Sequence, residues 1–263
     1  MGCNVTDDLY LSPQFSTLWS GKDPFDAVEK LDGKVYREMD GRKTLRFELD
    51  GKGYFLKIHR GVGWKEIFKN IVQLRLPVLG AKNEWLAIDK LKSIQVDTMT
   101  YVAYGKRGSN PATQLSFIIT EELAGCISLE DFCLEHQSDP NYERVVSECM
   151  EKVVSAVSTL HGHGVNHRDL YICHFLFDAD KYDASNPVYI IDLHRSQIRK
   201  QVPPRWRLKD VAGLWYSMRE VFMKPREFEM FRERYGDETR FTSTFWRNVE
   251  IKAEKLLAQE KGL

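Results

Sequence analysis

The chain has 263 residues, with 38 lysines and arginines against 38 aspartates and glutamates. This length is sufficient for one large domain or two small lobes with a full hydrophobic core. The balanced charge argues against a nucleic-acid-binding protein with a dominant basic surface, so no nucleic-acid partner is expected.

The cysteines and the apolar segments indicate a cytoplasmic protein. The cysteines are odd in number, scattered along the chain and never spaced as Cys-x-x-Cys. Such a set is typical of reduced intracellular thiols and not of a disulfide framework. The thiols are Cys3, Cys126, Cys133, Cys149 and Cys173. The N-terminus lacks the basic and apolar regions of a secretory signal, and no apolar run reaches the roughly 18 residues that a membrane-spanning helix needs.

The front of the chain is predicted to be an antiparallel meander. Residues 1–29 are expected to form a loose arm with one short helix beginning at Asp23-Pro24. Three β-rich segments follow, separated by Asp40-Gly41 and Asp50-Gly51, which are typical hairpin turns. These segments are 35–39, 44–49 and 53–58.

Lys57 lies among apolar neighbours in the third segment. It can be an edge lysine that points to solvent, or an inward lysine that holds nucleotide phosphates. Segment 64–76 is a basic amphipathic pattern, which suits a surface helix or a helix on an anionic membrane face. Glu84 lies near the start of the next predicted helix, 81–94. It can be a carboxylate stabilised there by the helix dipole, or it can form an ion pair with Lys57.

Strands are predicted at 99–105 and 115–121, and helices at 129–136 and 142–161, so a β-rich half gives way to an α-rich half near residue 124. The long second helix leads into the loop 164–174, which contains His167-Arg168-Asp169. A later apolar run, 188–191, ends at Asp192. Two aspartates on loops at strand ends are what phosphoryl transfer from a metal-bound nucleotide requires. Helices are then predicted at 209–223, 225–235 and 244–263.

The order of strand lysine, helix glutamate, long helix, His-Arg-Asp loop and final aspartate is that of the protein-kinase-like fold. The chain resembles, more specifically, the lipopolysaccharide core heptose kinases, a branch of that superfamily. The matching stretches are 54–59, 77–84, 116–123, 164–175, 190–195 and 205–210. The resemblance implies an α+β, bilobal fold with a small antiparallel-sheet N-lobe (30–123), a mainly helical C-lobe (124–263), and ATP and Mg²⁺ bound between the lobes.

The resemblance also implies roles in nucleotide binding. Lys57 would hold the α- and β-phosphates, and Glu84 would fix Lys57 by an ion pair. Glu121 to Leu123 would present backbone groups to adenine. A Gly-rich phosphate loop is missing, and Arg42 or Lys43 stands in its place, either on phosphate or simply solvated at the hairpin.

The roles implied for the second half centre on the catalytic loop, where His167 and Arg168 precede the catalytic Asp169. Asp169 would accept or orient the proton of the sugar hydroxyl, and Asp192 would bind Mg²⁺. Asp210 would brace the loop, or would only cap a helix. His174 stands where kinases usually carry asparagine, so it can bind metal, bond phosphate or only pack.

Two other features bear on the loop. Asp192-Leu193-His194 replaces the usual Asp-Phe-Gly. A zinc cluster is a rival interpretation of the histidine-rich stretch, although its spacing matches no zinc template. Its members would be His161, His163, His167, Cys173 and His174.

The resemblance implies ATP-dependent phosphorylation of a heptose of the lipopolysaccharide inner core, at O4 of the first heptose. The reaction would take place at the cytoplasmic face of the inner membrane, where the basic segments 64–75 and 195–209 would meet the anionic core and lipid A. The family also raises acyl carrier protein as a partner. The alternatives are a kinase of the same fold acting on a protein or another small molecule, and a non-catalytic scaffold.

Overall fold

The computed structural model describes residues 8–39, 41–61, 63, 80–110, 112–180, 182, 185–221, 223–236 and 243–260. The chain divides into two compact units, residues 1–88 with 99–124 and residues 89–98 with 125–263. The predicted lobe limits, 30–123 and 124–263, stay a prediction, because contact density alone does not define a domain. The predicted basic helix at 64–76 lies outside the described residues.

The first unit is built on an antiparallel sheet. Its strands in the described residues are β1 (Asp8–Leu11), β2 (Lys34–Met39), β3 (Arg42–Leu49), β4 (Lys52–His59), β5 (Tyr101–Arg107) and β6 (Leu115–Glu121). They lie in the order β1-β5-β6-β4-β3-β2. The β3–β4 hairpin turns at Asp50 and Gly51, whose φ angles of 51° and 74° suit the tight turn predicted for this dipeptide.

The segment expected to be a loose N-terminal arm packs onto this sheet. Strand β1 pairs with β5, and helices α1 (Pro13–Leu18) and α2 (Pro24–Glu29) follow it. Helix α2 starts where the sequence predicts, because Asp23 accepts a hydrogen bond from the backbone N–H of Phe25 at 2.8 Å and proline occupies the first turn. The core beneath the helices is aromatic, with Phe15, Trp19, Phe25, Phe47, Tyr54 and Phe117 buried together.

Helix α3 (Lys82–Ser93) follows, with its residues up to Ile88 in the first unit. Its buried residues include Trp85, Ile88 and Leu91, the stripe expected from their spacing. Glu84 lies in its first turn and is fully buried.

The second unit is mainly helical. Its elements are β7 (Cys126–Ser128), α4 (Leu129–Glu135), α5 (Tyr142–Gly162), β8 (Val165–Asn166), β9 (Phe175–Asp178), β10 (Tyr189–Ile190), β11 (Gln197–Ile198), α6 (Pro204–Glu220), α7 (Pro225–Tyr235) and α8 (Ser243–Glu260). Short 3₁₀ turns span Ile172–His174 and Leu193–Arg195. Two small sheets, β10-β9-β7 and β11-β8, hold the loops between the helices.

Helix α6 begins five residues before the predicted start at Lys209, because Pro204 follows Pro203 and proline is favoured in a first helical turn. Asp210 therefore lies in the second turn of α6, where it is buried and cannot be the helix cap. In the part of the chain that the structure describes, no helix combines the length and apolarity needed to cross a bilayer.

Candidate active site

The loop after α5 is held from below by Asp210. Its two carboxylate oxygens accept hydrogen bonds from the backbone N–H groups of His167 and Arg168, at 2.7 and 2.8 Å. Asp210 is completely buried. A buried carboxylate that receives backbone N–H donors stabilises the loop conformation, because each group would be costly to leave unpaired. These two hydrogen bonds are the contacts expected of a residue that braces the loop.

A buried histidine extends this network. His161, near the end of α5, lies 3.3 Å through Nε2 from Asp210 Oδ2 and 2.5 Å through Nδ1 from the Tyr235 hydroxyl. The carboxylate accepts, so Nε2–H donates to Asp210 and Nδ1 accepts from Tyr235 O–H. Burial lowers the pKa of His161, which favours this neutral tautomer.

His167 connects the loop to the segment before Asp192. Its Nε2 lies 2.9 Å from the carbonyl oxygen of Ile191, so Nε2 carries the proton and donates. Burial, with a smaller effect from the neighbouring His174, lowers the pKa of His167 and keeps the ring neutral. The rings of His167 and His174 stack, with centroids 5.6 Å apart. His167 therefore positions the loop.

Asp169 sits among cations. Both of its carboxylate oxygens accept hydrogen bonds from Nη1 of Arg195 at 2.8 Å, and Lys209 Nζ lies 3.7 Å from Oδ1. Lys209 also donates to the carbonyl oxygen of Arg168 at 2.5 Å. The Asp169 side chain is 17% exposed, so it is only partly covered by its neighbours.

Arg168 has a left-handed backbone conformation, with φ at 77°. This conformation is uncommon for a residue with a β-carbon, and here the bonds from Asp210 and Lys209 to its backbone maintain it. Its guanidinium lies 5.0 Å from the centroid of the Trp206 ring. Burial lowers the pKa of Arg168, and the charge of Arg195 lowers it further.

Asp192 also has a left-handed backbone, with φ 61° and ψ 49°. Its Oδ1 accepts a hydrogen bond from His194 Nδ1 at 2.8 Å, and its Oδ2 lies 3.8 Å from His174 Nε2. His174 Nδ1 donates to the carbonyl oxygen of Asp169 at 2.8 Å, so a neutral His174 presents a lone pair on Nε2. The lone pair of a neutral His174 and the carboxylate oxygen of Asp192 together are a donor pair that a divalent cation can use.

The fit to Mg²⁺ is partial. Mg²⁺ prefers oxygen ligands and usually takes one or two carboxylates, with waters and substrate phosphates completing its octahedron. Asp192 meets that need, whereas the imidazole of His174 is a poorer ligand for so hard a cation. No group of three or more histidine, cysteine or acidic side chains placed to hold a metal occurs among the described residues.

The side chains of the rival zinc interpretation have other partners. His161 bonds Asp210 and Tyr235, and His163 Nδ1 lies 2.8 Å from the carbonyl oxygen of Thr159. Cys173 is a half-buried free thiol. Burial raises its pKa to about 12, the opposite of what a metal-binding thiolate needs.

In the first unit, Lys57 and Glu84 form the ion pair that the kinase resemblance implies. Lys57 Nζ lies 2.7 Å from Glu84 Oε1, with the lysine side chain 23% exposed and the glutamate fully buried. Lys57 lies on β4, and Glu84 lies in the first turn of α3, where the helix dipole also favours a negative charge. Oε2 is buried and has no partner among the described residues.

The structure also places the other residues predicted to contact the nucleotide. The backbone N–H of Glu121 donates to the Thr100 carbonyl at 2.8 Å, so the N–H is not available to a ligand. Leu123 is half-buried, two residues beyond. Arg42 and Lys43 are half-buried in β3, opposite His59 and Ile58 of β4. Their contacts with a nucleotide stay a prediction, as does convergence of the Lys57 pair with Asp169 and Asp192.

Comparison with known proteins identifies the family. The model of the lipopolysaccharide kinase (Kdo/WaaP) family matches residues 26–235. The chain belongs to this family. It is similar to a Pseudomonas aeruginosa protein named lipopolysaccharide core heptose(I) kinase WaaP, with 48% identity over 257 residues that cover 97% of this chain and 91% of the relative. It is also similar to an Escherichia coli (strain K12) protein of the same name, with 45% identity over 262 residues, 96% of this chain and 99% of the relative.

A solved structure agrees with the family. The structure of WaaP in complex with acyl carrier protein is 44% identical, with a TM-score of 0.80, and the match covers 95% of this chain and 99% of that chain. The predicted α+β, bilobal protein-kinase-like fold is therefore confirmed. The chain is a kinase, as the family and its relatives' names establish.

Sequence reasoning missed four side chains near the loop. They are Arg195, Lys209, His161 and Tyr235, the first two at Asp169 and the others beneath Asp210. The sequence shows the basic composition of 195–209, and it places His161 at the end of the predicted helix 142–161 and in the rival zinc cluster. Nothing local in the sequence indicates which carboxylate each of these side chains meets.

Proposed function

We propose that the protein transfers the γ-phosphoryl group of ATP to a hydroxyl of the first heptose of the lipopolysaccharide inner core, at O4. The observation that carries the heptose acceptor is the match along nearly the whole chain to relatives that share one name, core heptose(I) kinase. ATP as donor follows from the chemistry usual for a kinase-like fold, in which positioning and charge neutralisation do most of the catalysis.

Asp169 acts as the base or as the group that orients the acceptor hydroxyl. Support comes from the brace beneath it: Asp210 fixes the two residues before Asp169 through their backbone N–H groups. A catalytic group must be held within a fraction of an ångström of its working position, and a buried network is one way to do so. His167 and Arg168 are positioning residues of this loop.

Asp192 and His174 would hold Mg²⁺, which would supply positive charge to neutralise the transferring phosphate. Support comes from Asp192 Oδ2, which lies 3.8 Å from His174 Nε2. His194 contributes by fixing the orientation of the Asp192 carboxylate through Oδ1.

Lys57 contacts the α- and β-phosphates. Glu84 holds its ammonium group in place through the ion pair at 2.7 Å. The carbonyl of Glu121 and the backbone of Leu123 contact adenine. Arg46 supports that segment by a bidentate pair with Glu122 at 2.7 and 2.8 Å, and Arg42 with Lys43 contacts phosphate.

The acceptor is polyanionic, and the basic segments 64–75 and 195–209 meet its carboxylates and phosphates at the inner face of the inner membrane. Acyl carrier protein is a proposed partner, since a 44% identical structure is described as a complex with it.

The test is transfer of phosphate from ATP to purified core lipid by Asp169→Ala and Asp192→Ala. Each is expected to lower kcat by at least about a thousandfold with little change in thermal stability, because both side chains act on charge that develops in transfer. Glu254→Ala, which removes an exposed carboxylate 3.9 Å from Arg219, is the control and should keep full activity. Full activity in either aspartate variant would remove its assigned role.

The acceptor is tested separately by mass spectrometry of core oligosaccharide from a deletion strain, with and without the gene. Loss and return of one phosphate on the first heptose, placed at O4 by fragmentation, supports the proposal. An unchanged core with an active ATP-dependent enzyme favours a protein or other small molecule as acceptor. An unchanged core with no ATP turnover favours a scaffold.

A further inference from the structure

The carboxylate of Asp169 is engaged by a cation. Arg195 places one nitrogen, Nη1, 2.8 Å from each oxygen, and the two side chains are 33% and 17% exposed. Arg195 thus occupies both carboxylate oxygens of Asp169, and an incoming hydroxyl has to displace it before it can donate to either of them.

The surroundings of Asp169 carry more positive than negative charge. Four cationic side chains interact here: Arg168, Arg195, Arg199 and Lys209. Burial, followed by repulsion from Arg195 and Arg168, lowers the pKa of Lys209. The opposing carboxylates are those of Asp169 and Asp210, and Asp210 already accepts from two backbone N–H groups. An added anion would relieve this repulsion.

Arg195 is also the member of the cluster best placed to change partners. It ends a short 3₁₀ turn, Leu193–Arg195, and its long side chain is one-third exposed. By contrast, Arg199 is paired with Asn166 and Gln197, and the guanidinium of Arg168 lies over Trp206. A rotation of the Arg195 side chain would free Asp169 without moving the backbone that Asp210 holds.

We propose that an anionic group of the acceptor, a carboxylate or a phosphate ester near the reacting hydroxyl, draws Arg195 away from Asp169 and so releases the base. The inference rests on the proposed function, because it assumes that Asp169 receives the hydroxyl proton. A neutral acceptor offers Arg195 no better partner and leaves the equilibrium where it is, since a ligand shifts two states only by its difference in affinity.

The released state performs a balanced transfer. Asp169 takes the hydroxyl proton, the hydroxyl oxygen forms a bond to the γ-phosphorus, and the bond from that phosphorus to the bridging oxygen of ADP breaks. Water in place of the acceptor would give ADP and inorganic phosphate by the same steps. The Arg195–Asp169 pair suppresses this loss, because water brings no anion to displace it.

The first test uses the full chain with Arg195→Gln. Hydrolysis of ATP without acceptor is expected to rise about tenfold. The KM for a core oligosaccharide acceptor should rise at least about tenfold and the KM for ATP less than about twofold, as for loss of one charged contact with a single substrate. Arg234→Gln, which breaks a surface pair with Glu151 at 3.0 Å, is the matched control and should change none of these. Unchanged or slower hydrolysis in Arg195→Gln would overturn the inference.

The second test identifies the anion with two altered acceptors, one with its carboxylates reduced to alcohols and one with its phosphates removed. Wild-type protein should lose about tenfold in kcat/KM on the acceptor that lacks the recognised anion, and Arg195→Gln should lose nothing more on it. Equal losses in both proteins, or no loss in wild type on either acceptor, would contradict the inference.

Asp169→Asn separates this inference from the proposed function. If the double variant Asp169→Asn with Arg195→Gln shows neither phosphate transfer nor increased ATP hydrolysis, the inference and the proposed function both stand. Full phosphate transfer by Asp169→Asn alone contradicts the proposed role of Asp169. If Asp169→Asn is inactive but Arg195→Gln hydrolyses ATP at the wild-type rate, only the inference is contradicted. Should Arg195→Gln unfold below the assay temperature, Arg195→Met replaces it: its flexible thioether carries no charge to pair with Asp169, so hydrolysis should still rise, and no rise overturns the inference.

Discussion

The Lys57–Glu84 pair and the cluster around Asp169 use charge in opposite ways. Lys57 and Glu84 are one cation and one carboxylate, 2.7 Å apart, with Glu84 fully buried. Asp169 instead faces Arg195 and Lys209, and further cations lie beside them. The first arrangement pairs one positive with one negative charge, whereas the second has positive charge in excess.

This difference indicates two kinds of preorganisation. A buried pair is costly to break because removing one partner leaves the other charge without compensation, so Lys57 is held in one place. A partly exposed pair within a cationic cluster costs less to rearrange, and an anion can compete for it. We therefore expect changes to the first pair to act on ATP, and changes to the cluster to act on the acceptor.

Among the variants that compare these two arrangements, Glu84→Gln should have the largest effect, although it is smaller than the loss expected for Asp169→Ala. The amide cannot neutralise Lys57, so the ammonium group should shift from its position and kcat/KM for ATP should fall about a hundredfold. The free energy of unfolding should fall by about 1–3 kcal/mol, as for a lost bond to a charged group. Steady-state kinetics with ATP varied, together with urea unfolding, measures both.

The matched control for Glu84→Gln is Glu29→Gln, in the same unit. Glu29 pairs with Arg60, but both side chains are exposed, at 32% and 42%. Exposed pairs contribute less than about 1 kcal/mol, so this variant should resemble wild type in both measurements. If Glu84→Gln also behaves like wild type towards ATP, Lys57 does not serve the nucleotide.

A smaller effect is expected beneath the cluster, at His161. Burial lowers the pKa of His161 in the folded protein below the unfolded value of about 6.5, and Asp210 opposes this shift only in part. The unfolded chain thus binds the proton first as pH falls. Neutral His161 therefore contributes fully to stability above about pH 6.5. Below that pH the free energy of unfolding falls, by at most about 1.4 kcal/mol per pH unit for each such histidine.

His161→Gln tests this sign. Glutamine can donate to Asp210 and accept from Tyr235, but it does not titrate. The free energy of unfolding in urea, measured from about pH 7.5 to about pH 5, should depend less on pH in this variant than in wild type. A slope will remain, because burial lowers the pKa of His167 as well. His163→Gln, at an exposed position of the same helix end, should follow wild type, and equal slopes in all three proteins would contradict the assignment.

The sequence predicted the first pair better than the cluster, for a physical reason. Lys57 and Glu84 occupy a strand and a helix start, which periodicity and turn residues locate, and the kinase order relates them. Arg195 and Asp169 are 26 positions apart on different loops, and no local pattern in the sequence pairs them. His161 was placed correctly near the end of its helix, yet its bond to Tyr235 joins residues 74 positions apart.

The N-terminal segment and α6 show the same limit. Residues 8–29 were expected to be mostly loose, because short segments carry little periodicity, but β1 adds to a sheet edge and Phe15 and Phe25 enter the core. Helix α6 begins at Pro204 and not at the predicted Lys209, because proline is also favoured in a first helical turn. With the predicted start, Asp210 could be assigned as a cap or a brace, and only its contacts with the loop decide between them.

The smallest expected effect concerns the outer part of the cationic region. Lys200 is exposed, whereas its neighbour Arg199 is bound to Asn166 and Gln197, so changing both residues would mix acceptor binding with loop stability. Lys200→Gln alone should raise the KM for core lipid about twofold at low salt and leave the KM for ATP unchanged. The difference should vanish near 0.5 M salt, because exposed charges are screened over a few ångströms there. An equal rise in both KM values, or a rise that persists at high salt, would mean that the excess positive charge around Asp169 does not extend outward to attract the acceptor.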